Sequence, residues 1–519
     1  MKDKYRSIIY VLLVGFLVIG CSSDSSKLDE YNNVENTSSS VNKSINAKIL
    51  NKSEYTLSPI SDAEFNALSY ENKLLVAYKI YTALLSGVAK YELDKKIESN
   101  TFISDLHATL MSPNSDLYSI EEIIDNKDYS SLPRNYTRER IFARLFNMKL
   151  GYHYVNRLSA YLLTQNIMFS PAYELNSVDG ADISNVYNKL VRQMDKNISI
   201  ENITYDHMMS DDNWKRFRSP EDNSREMLEL FLYDKNDSKV PLAAKTLQNW
   251  KLETRSKELM VGLNVNNEPI EMFDTIITTG DDFYKELVLY KDFKPSVIRR
   301  LVEVYFTDFS SQRVDELVAQ IKRSNPERFQ DILLQIIFSK AFIFEVQRVK
   351  TFEEAVFSMG KKISFYAGRN FFGYMRDAID KSNQGSMKYK LGRSKNVPID
   401  SLSFSNYYKF MRERILNDLR YNQMHDWDNG WEAEFINNES TNFDTLDEFI
   451  DYLFIASVQR HPTADELDAL HDFCVNEKNY GNIATTNNKE AVAIIVLEYI
   501  SRLTEVYTYK LPSQESEDE

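Results

Sequence analysis

Along most of this chain, apolar residues recur three and four positions apart, the spacing that gathers them on one face of an α-helix. The longest such pattern runs from about 138 to 165. Shorter patterns predict helices at 241–250, 295–307, 312–323, 326–344, 351–364, 405–421, 445–459, 463–476 and 488–504. Strand-like alternation is rare, and 259–265 with 271–278 predicts at most one short hairpin. We therefore expect a mainly α fold of large, irregular multi-helical domains without a fixed-period repeat.

Helix-start signals support these patterns. Ser61 with Glu64, and Thr463 with Glu466, have the spacing of capping boxes, in which two side chains satisfy free amide groups of the first turn. Ser219–Pro220 is a further start signal, because serine caps a helix and proline fits its first turn. The chain has only 14 Gly and 12 Pro, whereas its 32 Tyr and 29 Phe predict a core packed with large rings.

The start of the chain has the order of parts found in an export signal. Basic residues dominate the first six positions, and an apolar run follows at 8–19. This run fits the ~7–15 residues of a signal-peptide core and falls short of the ~20 that span a bilayer. The residues ending at Gly20–Cys21 resemble the lipobox of bacterial lipoproteins, whose cysteine receives diacylglycerol and becomes the new N-terminus. The resemblance implies a membrane anchor on Cys21; the alternative is an ordinary signal peptide with a chance cysteine.

The residues behind the cysteine indicate the location and the organisation of the chain. By the same resemblance, Ser22 favours the outer membrane, because Asp at this position tends to retain lipoproteins in the inner membrane. The next stretch is rich in Ser, Asn and Asp, which predicts a disordered tether. The expected parts are a signal peptide (1–20), the lipidated cysteine with its tether (21–56), a main helical domain (57–380), a mobile loop (381–400), a C-terminal helical region (401–510) and an acidic disordered tail (511–519).

Charge and cysteine content argue against several classes of protein. The net charge of −15 would repel a phosphate backbone, so we expect no nucleic-acid partner. With Cys21 assigned to the anchor, Cys474 has no partner for an internal disulfide. The Cys-x-x-Cys-His motif of covalently bound haem is absent, and we expect no cofactor. Walker loops, dinucleotide fingerprints, Gly-x-Ser-x-Gly elbows and His-Glu-x-x-His motifs are absent as well.

One segment of the chain resembles a known family. Residues 222–231 read Asp-Asn-Ser-Arg-Glu-Met-Leu-Glu-Leu-Phe, and the helix pattern behind them ends at Trp250. This is similar to the N-x-A-R-E-L-L-E-L-F and L-T-G-W signature of exported bacterial proteins with domain of unknown function 1800. The similarity extends loosely over 140–420 and departs at Asp222 and Asn249, where Asn and Gly are usual. It implies an exported protein of no established activity, with a sulfatase-like protein as a possible envelope partner.

The charged residues of this signature are the first candidate site. Arg225 and Glu229 are four positions apart and share a helix face, with Glu226 beside them and apolar residues around. Charges in such surroundings must be paired or solvated. They could line the pocket of an enzyme. A structural ion pair of Arg225 and Glu229, with each other or with a neighbouring helix, is the interpretation we favour.

Two further clusters have the residue types of metal sites. His471 and Cys474 are three positions apart on one predicted helix, with His461 upstream, and imidazole with thiolate suits zinc. Asp426 and Asp428 begin a run similar to a calcium loop that is one residue too short. A buried thiol beside a surface histidine and an acidic turn are the simpler interpretations, so we expect no metal at either place.

The sequence predicts function only at the level of class. The anchor, the tether and the absence of a catalytic constellation favour a lipid-anchored binding or scaffolding module of the cell envelope. The alternative is an envelope hydrolase that acts on glycans or on sulfated or phosphorylated substrates through Arg225, Glu226 and Glu229. Whether the protein is an enzyme stays open at this point.

Overall fold

Helices make up most of the computed structural model, which describes residues 57–113, 134–171, 180–262, 268–389, 392–393, 401–416, 430–431 and 443–512. The expected mainly α fold is confirmed. Cys21 with the predicted signal peptide and tether, the calcium-loop candidates Asp426 and Asp428, and residues 513–519 of the predicted tail lie outside the described residues.

Two runs of helices are separated by short strands. The first run is α1 (Asp62–Asn66), α2 (Tyr70–Ala83), α3 (Lys90–Ile97), α4 (Phe102–Met111), α5 (Arg134–Asn147), α6 (Tyr152–Gln165), α7 (Gly180–Asp195), α8 (Ile200–Met208), α9 (Asp211–Arg216), α10 (Pro220–Leu232) and α11 (Val240–Leu247). The second run is α12 (Gly280–Leu289), α13 (Phe293–Tyr305), α14 (Ser311–Arg323), α15 (Phe329–Ile337), α16 (Lys340–Glu345), α17 (Phe352–Lys362), α18 (Arg369–Lys381), α19 (Ser401–Phe410), α20 (Leu446–Val458), α21 (Ala464–Asp472) and α22 (Thr486–Ile500).

Shorter elements complete the described chain. Turns of π-helix extend α19 at Met411–Leu416 and α21 at Phe473–Glu477, and a 3-10 turn spans Thr504–Val506. The strands are β1 (Lys251–Leu252), β2 (Leu259–Met260), β3 (Ile270–Met272), β4 (Thr275–Ile277), β5 (Phe365–Tyr366) and β6 (Gly430–Trp431). Within the described ranges, no helix has both the length and the apolar content of a bilayer span.

The predicted start signals form real helix caps. Ser61 with Glu64, and Thr463 with Glu466, make both hydrogen bonds of a capping box at the starts of α1 and α21. The Ser219 hydroxyl accepts a hydrogen bond of 3.1 Å from the amide of Asp222 and so caps α10. Each such cap contributes about 1 kcal/mol, because it satisfies amide groups that the helix leaves free.

The strands pair differently from the prediction. β2 pairs with β1 and β3 pairs with β4, so the strands of the two predicted segments belong to two separate short hairpins instead of pairing with each other. Phe273 and Asp274 link β3 to β4, with φ angles of 58° and 61°. Positive φ at both positions matches the two-residue turn whose twist suits a hairpin. A turn without glycine gave no sequence signal.

Two of the long helical patterns are each divided into two helices. Within 138–165, α5 ends before Gly151 and α6 begins after it. The single helix expected at 326–344 is wrong, since α15 ends at Ile337 and α16 begins behind Ser339. The hydroxyl of Ser339 accepts a hydrogen bond of 3.0 Å from the amide of Phe342, which starts the new helix. The apolar pattern continues across both breaks because both halves face the same core.

Buried lysines satisfy carbonyl groups that helices leave free at their C-terminal ends. At the end of α16, Nζ of Lys79 donates to the carbonyl oxygens of Ile343 at 2.7 Å and Val346 at 2.6 Å. At the end of α20, Nζ of Lys362 donates to the carbonyl oxygen of Ser457 at 2.9 Å. Burial lowers the pKa of both lysines well below the ordinary value. Their hydrogen bonds join helices that are distant in sequence.

The C-terminal residues close the core of the described chain. Lys350 donates from Nζ to the carbonyl of Val506 at 2.8 Å and from its amide to the carbonyl of Tyr507 at 2.8 Å. The buried Tyr509 donates from its amide to the carbonyl of Arg348 at 2.9 Å. The described parts of the predicted main domain and of the C-terminal region therefore belong to one compact unit.

Part of the stretch expected to be a mobile loop, 381–400, lies in the core instead. Residues 384–387 are buried. The side chain of Gln384 accepts a hydrogen bond of 3.0 Å from the amide of Phe352, and the amide of Met387 donates to Oε1 of Gln165 at 3.0 Å. The lysine-rich composition suggested exposure, but the smaller polar residues between the lysines find partners inside.

Candidate functional site

The signature residues Arg225, Glu226 and Glu229 lie on α10, and the arginine pairs with neither glutamate. Arg225 is about half exposed, and its Nε lies 3.4 Å from Oδ1 of Asp237 in the loop behind the helix. Glu226 and Glu229 are half-buried. The expected pairing of Arg225 with Glu229 or a neighbouring helix is therefore wrong. The arginine meets a carboxylate that is 80% exposed, and solvent screens such a pair.

A neighbouring residue that the sequence analysis missed holds α10 in place. Asn223 is fully buried and donates from Nδ2 to the carbonyl of Phe217 at 3.3 Å. Its Oδ1 accepts a hydrogen bond of 2.6 Å from the hydroxyl of Tyr284, which joins α10 to α12. A lone asparagine in a charged run carries no sign of burial, so the sequence could not have revealed this contact.

The zinc candidates are not brought together. Nδ1 of His461 lies 2.6 Å from Oδ1 of Asp451, and Nδ1 of His471 lies 2.6 Å from Oδ1 of Asp447. Each imidazole thus has its own carboxylate on α20. Cys474 is buried, and burial raises the pKa of its thiol to about 11, which disfavours the thiolate that binds zinc. In the part of the chain that the structure describes, no three His, Cys, Asp or Glu side chains converge as a metal site requires.

A cluster of buried charges surrounds the start of α17, and the sequence analysis missed it. Oε2 of Glu354 accepts hydrogen bonds from Nη1 of Arg348 at 2.8 Å and from the amide of Thr351 at 2.7 Å. Oε1 accepts from Nη2 of Arg348 at 2.6 Å and from the hydroxyl of Tyr509 at 2.9 Å. The paired side chains are no more than 5% exposed. Two-point contact and full hydrogen bonding offset the solvation that both charges lose on burial.

The adjacent Glu353 carries a second buried ion pair. Its Oε1 accepts hydrogen bonds from the hydroxyl of Tyr161 at 2.6 Å, from Ser386 and from the guanidinium of Arg393. Burial acts to raise the pKa of Glu353, but the charge of Arg393 and these hydrogen bonds outweigh it. The resulting pKa lies below the ordinary value, so the carboxylate stays ionised. The backbone of Arg393 is fixed as well, because its amide donates a hydrogen bond of 2.8 Å to the carbonyl of Gln165.

Lys350 lies beside this cluster and titrates near neutrality. Burial lowers its pKa to about 7; Glu354 opposes this effect, while Lys510 and Arg348 add to it. A lysine with a lowered pKa can act as a base or a nucleophile. Here, however, Nζ is hydrogen-bonded to the backbone carbonyl of Val506, and the residue is buried beneath the C-terminal turn. The position suits packing better than chemistry.

The buried cluster as a whole ties α17 to parts of the chain that are distant in sequence. Glu353 contacts Tyr161 of α6 together with Ser386 and Arg393, whereas Glu354 contacts Tyr509 near the C-terminus. One sequence signal could have revealed half of it, since Thr351 and Glu354 have the spacing of a capping box and form one. The arginine partners come from other segments, and spacing along one helix does not predict them.

A depression of about 250 Å³ lies on the surface where α12, α13 and α14 approach α8. The residues that line it include Lys291, Lys294, Lys322, Glu201 and Tyr290. Arg225, Glu226 and Glu229 do not belong to this wall. No sequence signal marks the depression, because these residues come from several separate elements.

Comparison with known proteins adds no relative. No family model, no curated protein and no solved structure matches this chain. The resemblance of residues 222–231 to the family with domain of unknown function 1800 therefore stays a prediction.

Proposed function

We propose that this chain is a lipid-anchored protein of the cell envelope whose helical part acts as a binding or scaffolding module. The anchor rests on the sequence: a basic start, a short apolar run and a small residue directly before Cys21. Two or more acyl chains on that cysteine would hold the protein stably, because each buried methylene contributes ~0.8 kcal/mol. Ser22 favours the outer membrane.

The buried carboxylates of Glu353 and Glu354 are used for internal contacts and not for catalysis. Glu354 uses both carboxylate oxygens for packing contacts, and Glu353 is held by Tyr161, Ser386 and Arg393. Catalytic acids and bases need access to a substrate. The hydrolase alternative relied on Arg225 and the two glutamates of α10 lining a pocket. Their place outside the surface depression gives it no support, so we do not propose it.

Cell fractionation with two cysteine variants tests the anchor. We expect Cys21→Ser to lose incorporation of labelled fatty acid and to leave the membrane fraction or accumulate as an uncut precursor. The matched control is Cys474→Ala, which removes the other cysteine and should keep both label and membrane attachment. Processing, labelling and membrane attachment of Cys21→Ser that equal those of the unmodified chain would contradict the proposal.

A further inference from the structure

The surface depression beside α13 combines features that point to a ligand. We propose that it binds a small sugar acid, that is, a carboxylate that also carries several hydroxyl groups. The inference names a ligand for the binding role proposed above and rests on that role. Charge, hydrogen-bonding groups and shape support it separately.

The depression keeps positive charge in a chain whose net charge is −15. Nζ of Lys294 lies 2.9 Å from Oε1 of Glu201, so these two charges compensate each other. Nζ of Lys291 lies 3.8 Å from Oδ2 of Asp274 and also contacts Tyr290. Both side chains of the ion pair are mostly exposed, so solvent screens it. Lys322 makes no ion pair within the described ranges. The surplus of ammonium groups favours an anion.

The polar groups around these ammonium groups suit hydroxyls. Glu201 offers carboxylate oxygens, which accept hydrogen bonds from hydroxyl groups. Asn325 offers an amide, and its Oδ1 lies 3.4 Å from Nζ of Lys294. The backbone fixes this asparagine at the end of α14, since its amide donates to the carbonyl of Lys322 at 3.0 Å and its φ is 46°. A bare inorganic anion would leave these groups unused.

The remaining wall is apolar and the space is small. Tyr290 presents a half-buried ring that also contacts Phe273 and the ammonium group of Lys291, and Leu289 beside it is 71% exposed. The C–H face of a sugar ring can pack on such an aromatic and aliphatic wall. A volume of about 250 Å³ lies just below the ~300–1,000 Å³ of pockets for drug-sized ligands. It therefore suits a single sugar unit.

Calorimetric titration of the full-length chain in mild detergent tests the proposal. The probe is sodium glucuronate, with glucose as its uncharged counterpart and inorganic phosphate as an anion without hydroxyls on carbon. We expect glucuronate to bind at least about tenfold more tightly than glucose, which lacks the carboxylate that meets the lysines, and than phosphate, which lacks the sugar hydroxyls. Equal binding of glucose or of phosphate, or no binding of glucuronate, would overturn it.

Lysine variants locate the site. Lys322→Gln and Lys294→Gln should each weaken glucuronate binding by about tenfold, because each removes a charged donor. The matched control is Lys245→Gln on α11, because Lys245 does not line the depression. Its side chain is 53% exposed, and its Nζ lies 3.7 Å from Oε2 of Glu268. Lys322 is exposed, so its variant should fold normally even if the loss of Lys294 disturbs Glu201. Unchanged affinity in Lys322→Gln would place the ligand elsewhere and refute the site. Membrane attachment does not enter this measurement, so failure here leaves the anchor proposal intact.

Discussion

The buried ion pair at the start of α17 allows a quantitative prediction. Glu354→Gln keeps the size of the side chain but replaces one oxygen by an NH₂ group. Whichever position the amide takes, an N–H group of Arg348 that now points at an oxygen will meet the NH₂ group instead. The charge of Arg348 is also left without its partner in a site that solvent barely reaches.

The expected loss is large. Removing one partner of a buried ion pair costs ~3–5 kcal/mol, because the other charge stays buried and uncompensated. At a slope of ~3 kcal/mol per molar urea, this lowers the unfolding midpoint by about 1 M or more. Circular dichroism at pH 7 in urea measures it, since urea does not screen the charges as a salt would.

The control makes the same substitution on the surface. Glu316 has Oε2 at 3.0 Å from Nη1 of Arg313, and its side chain is 48% exposed. Such a pair contributes ~0.2–1 kcal/mol, so Glu316→Gln should barely move the midpoint. The double variant Arg348→Met with Glu354→Gln should lose less than the sum of the single losses. Equal midpoints for Glu354→Gln and Glu316→Gln, or strictly additive losses, would show that the buried pair does not stabilise the fold as expected.

Three further predictions concern glycines, the signature helix and alkaline pH. Gly280→Ala should lower the free energy of unfolding by about 1–3 kcal/mol, because its Cβ would lie 2.8 Å from ring atoms of Trp250. In Gly373→Ala on α18 the nearest atoms to the new Cβ, those of the Glu139 side chain, would lie at 3.6 Å, an ordinary van der Waals distance. This variant should raise the free energy of unfolding by up to ~1 kcal/mol, and thermal unfolding measures both effects. Arg225→Met should change the unfolding free energy by less than ~0.5 kcal/mol in urea, since its partner is exposed; a loss of several kcal/mol would restore the buried-pair interpretation. Burial raises the pKa of fully buried tyrosines such as Tyr154 above the ordinary 10, so their contribution is complete below pH 10 and is lost as pH rises beyond it. Absorbance at 295 nm should then show tyrosine ionisation together with unfolding, and ionisation of all tyrosines in a still-folded chain would contradict this.

The fold class could be predicted from the sequence because periodicity and caps are local. The capping boxes of Ser61 and Thr463 depend on residues three positions apart, and both form as expected. Breaks within a pattern were harder to see. Ser339 starts a helix inside an apolar run, and nothing in the run itself marks the change of direction.

The buried charge cluster at the start of α17 could not be predicted from the sequence, because its residues meet only in the folded chain. Glu354 and Tyr509 are 155 positions apart, and no motif links them. The signature residue Arg225 looked like half of a buried pair because apolar residues surround it in sequence. In the structure those neighbours face the core, while the arginine points to Asp237 and solvent.

Intact mass spectrometry of the chain extracted from membranes tests whether lipid on Cys21 holds this protein in the cell envelope. We expect a mature chain that begins at Cys21 and carries the added mass of a diacylglycerol group and an amide-linked acyl chain, with both modifications on the N-terminal peptide. A chain that retains residues 1–20, or one that begins at another residue with no acyl mass, would contradict it.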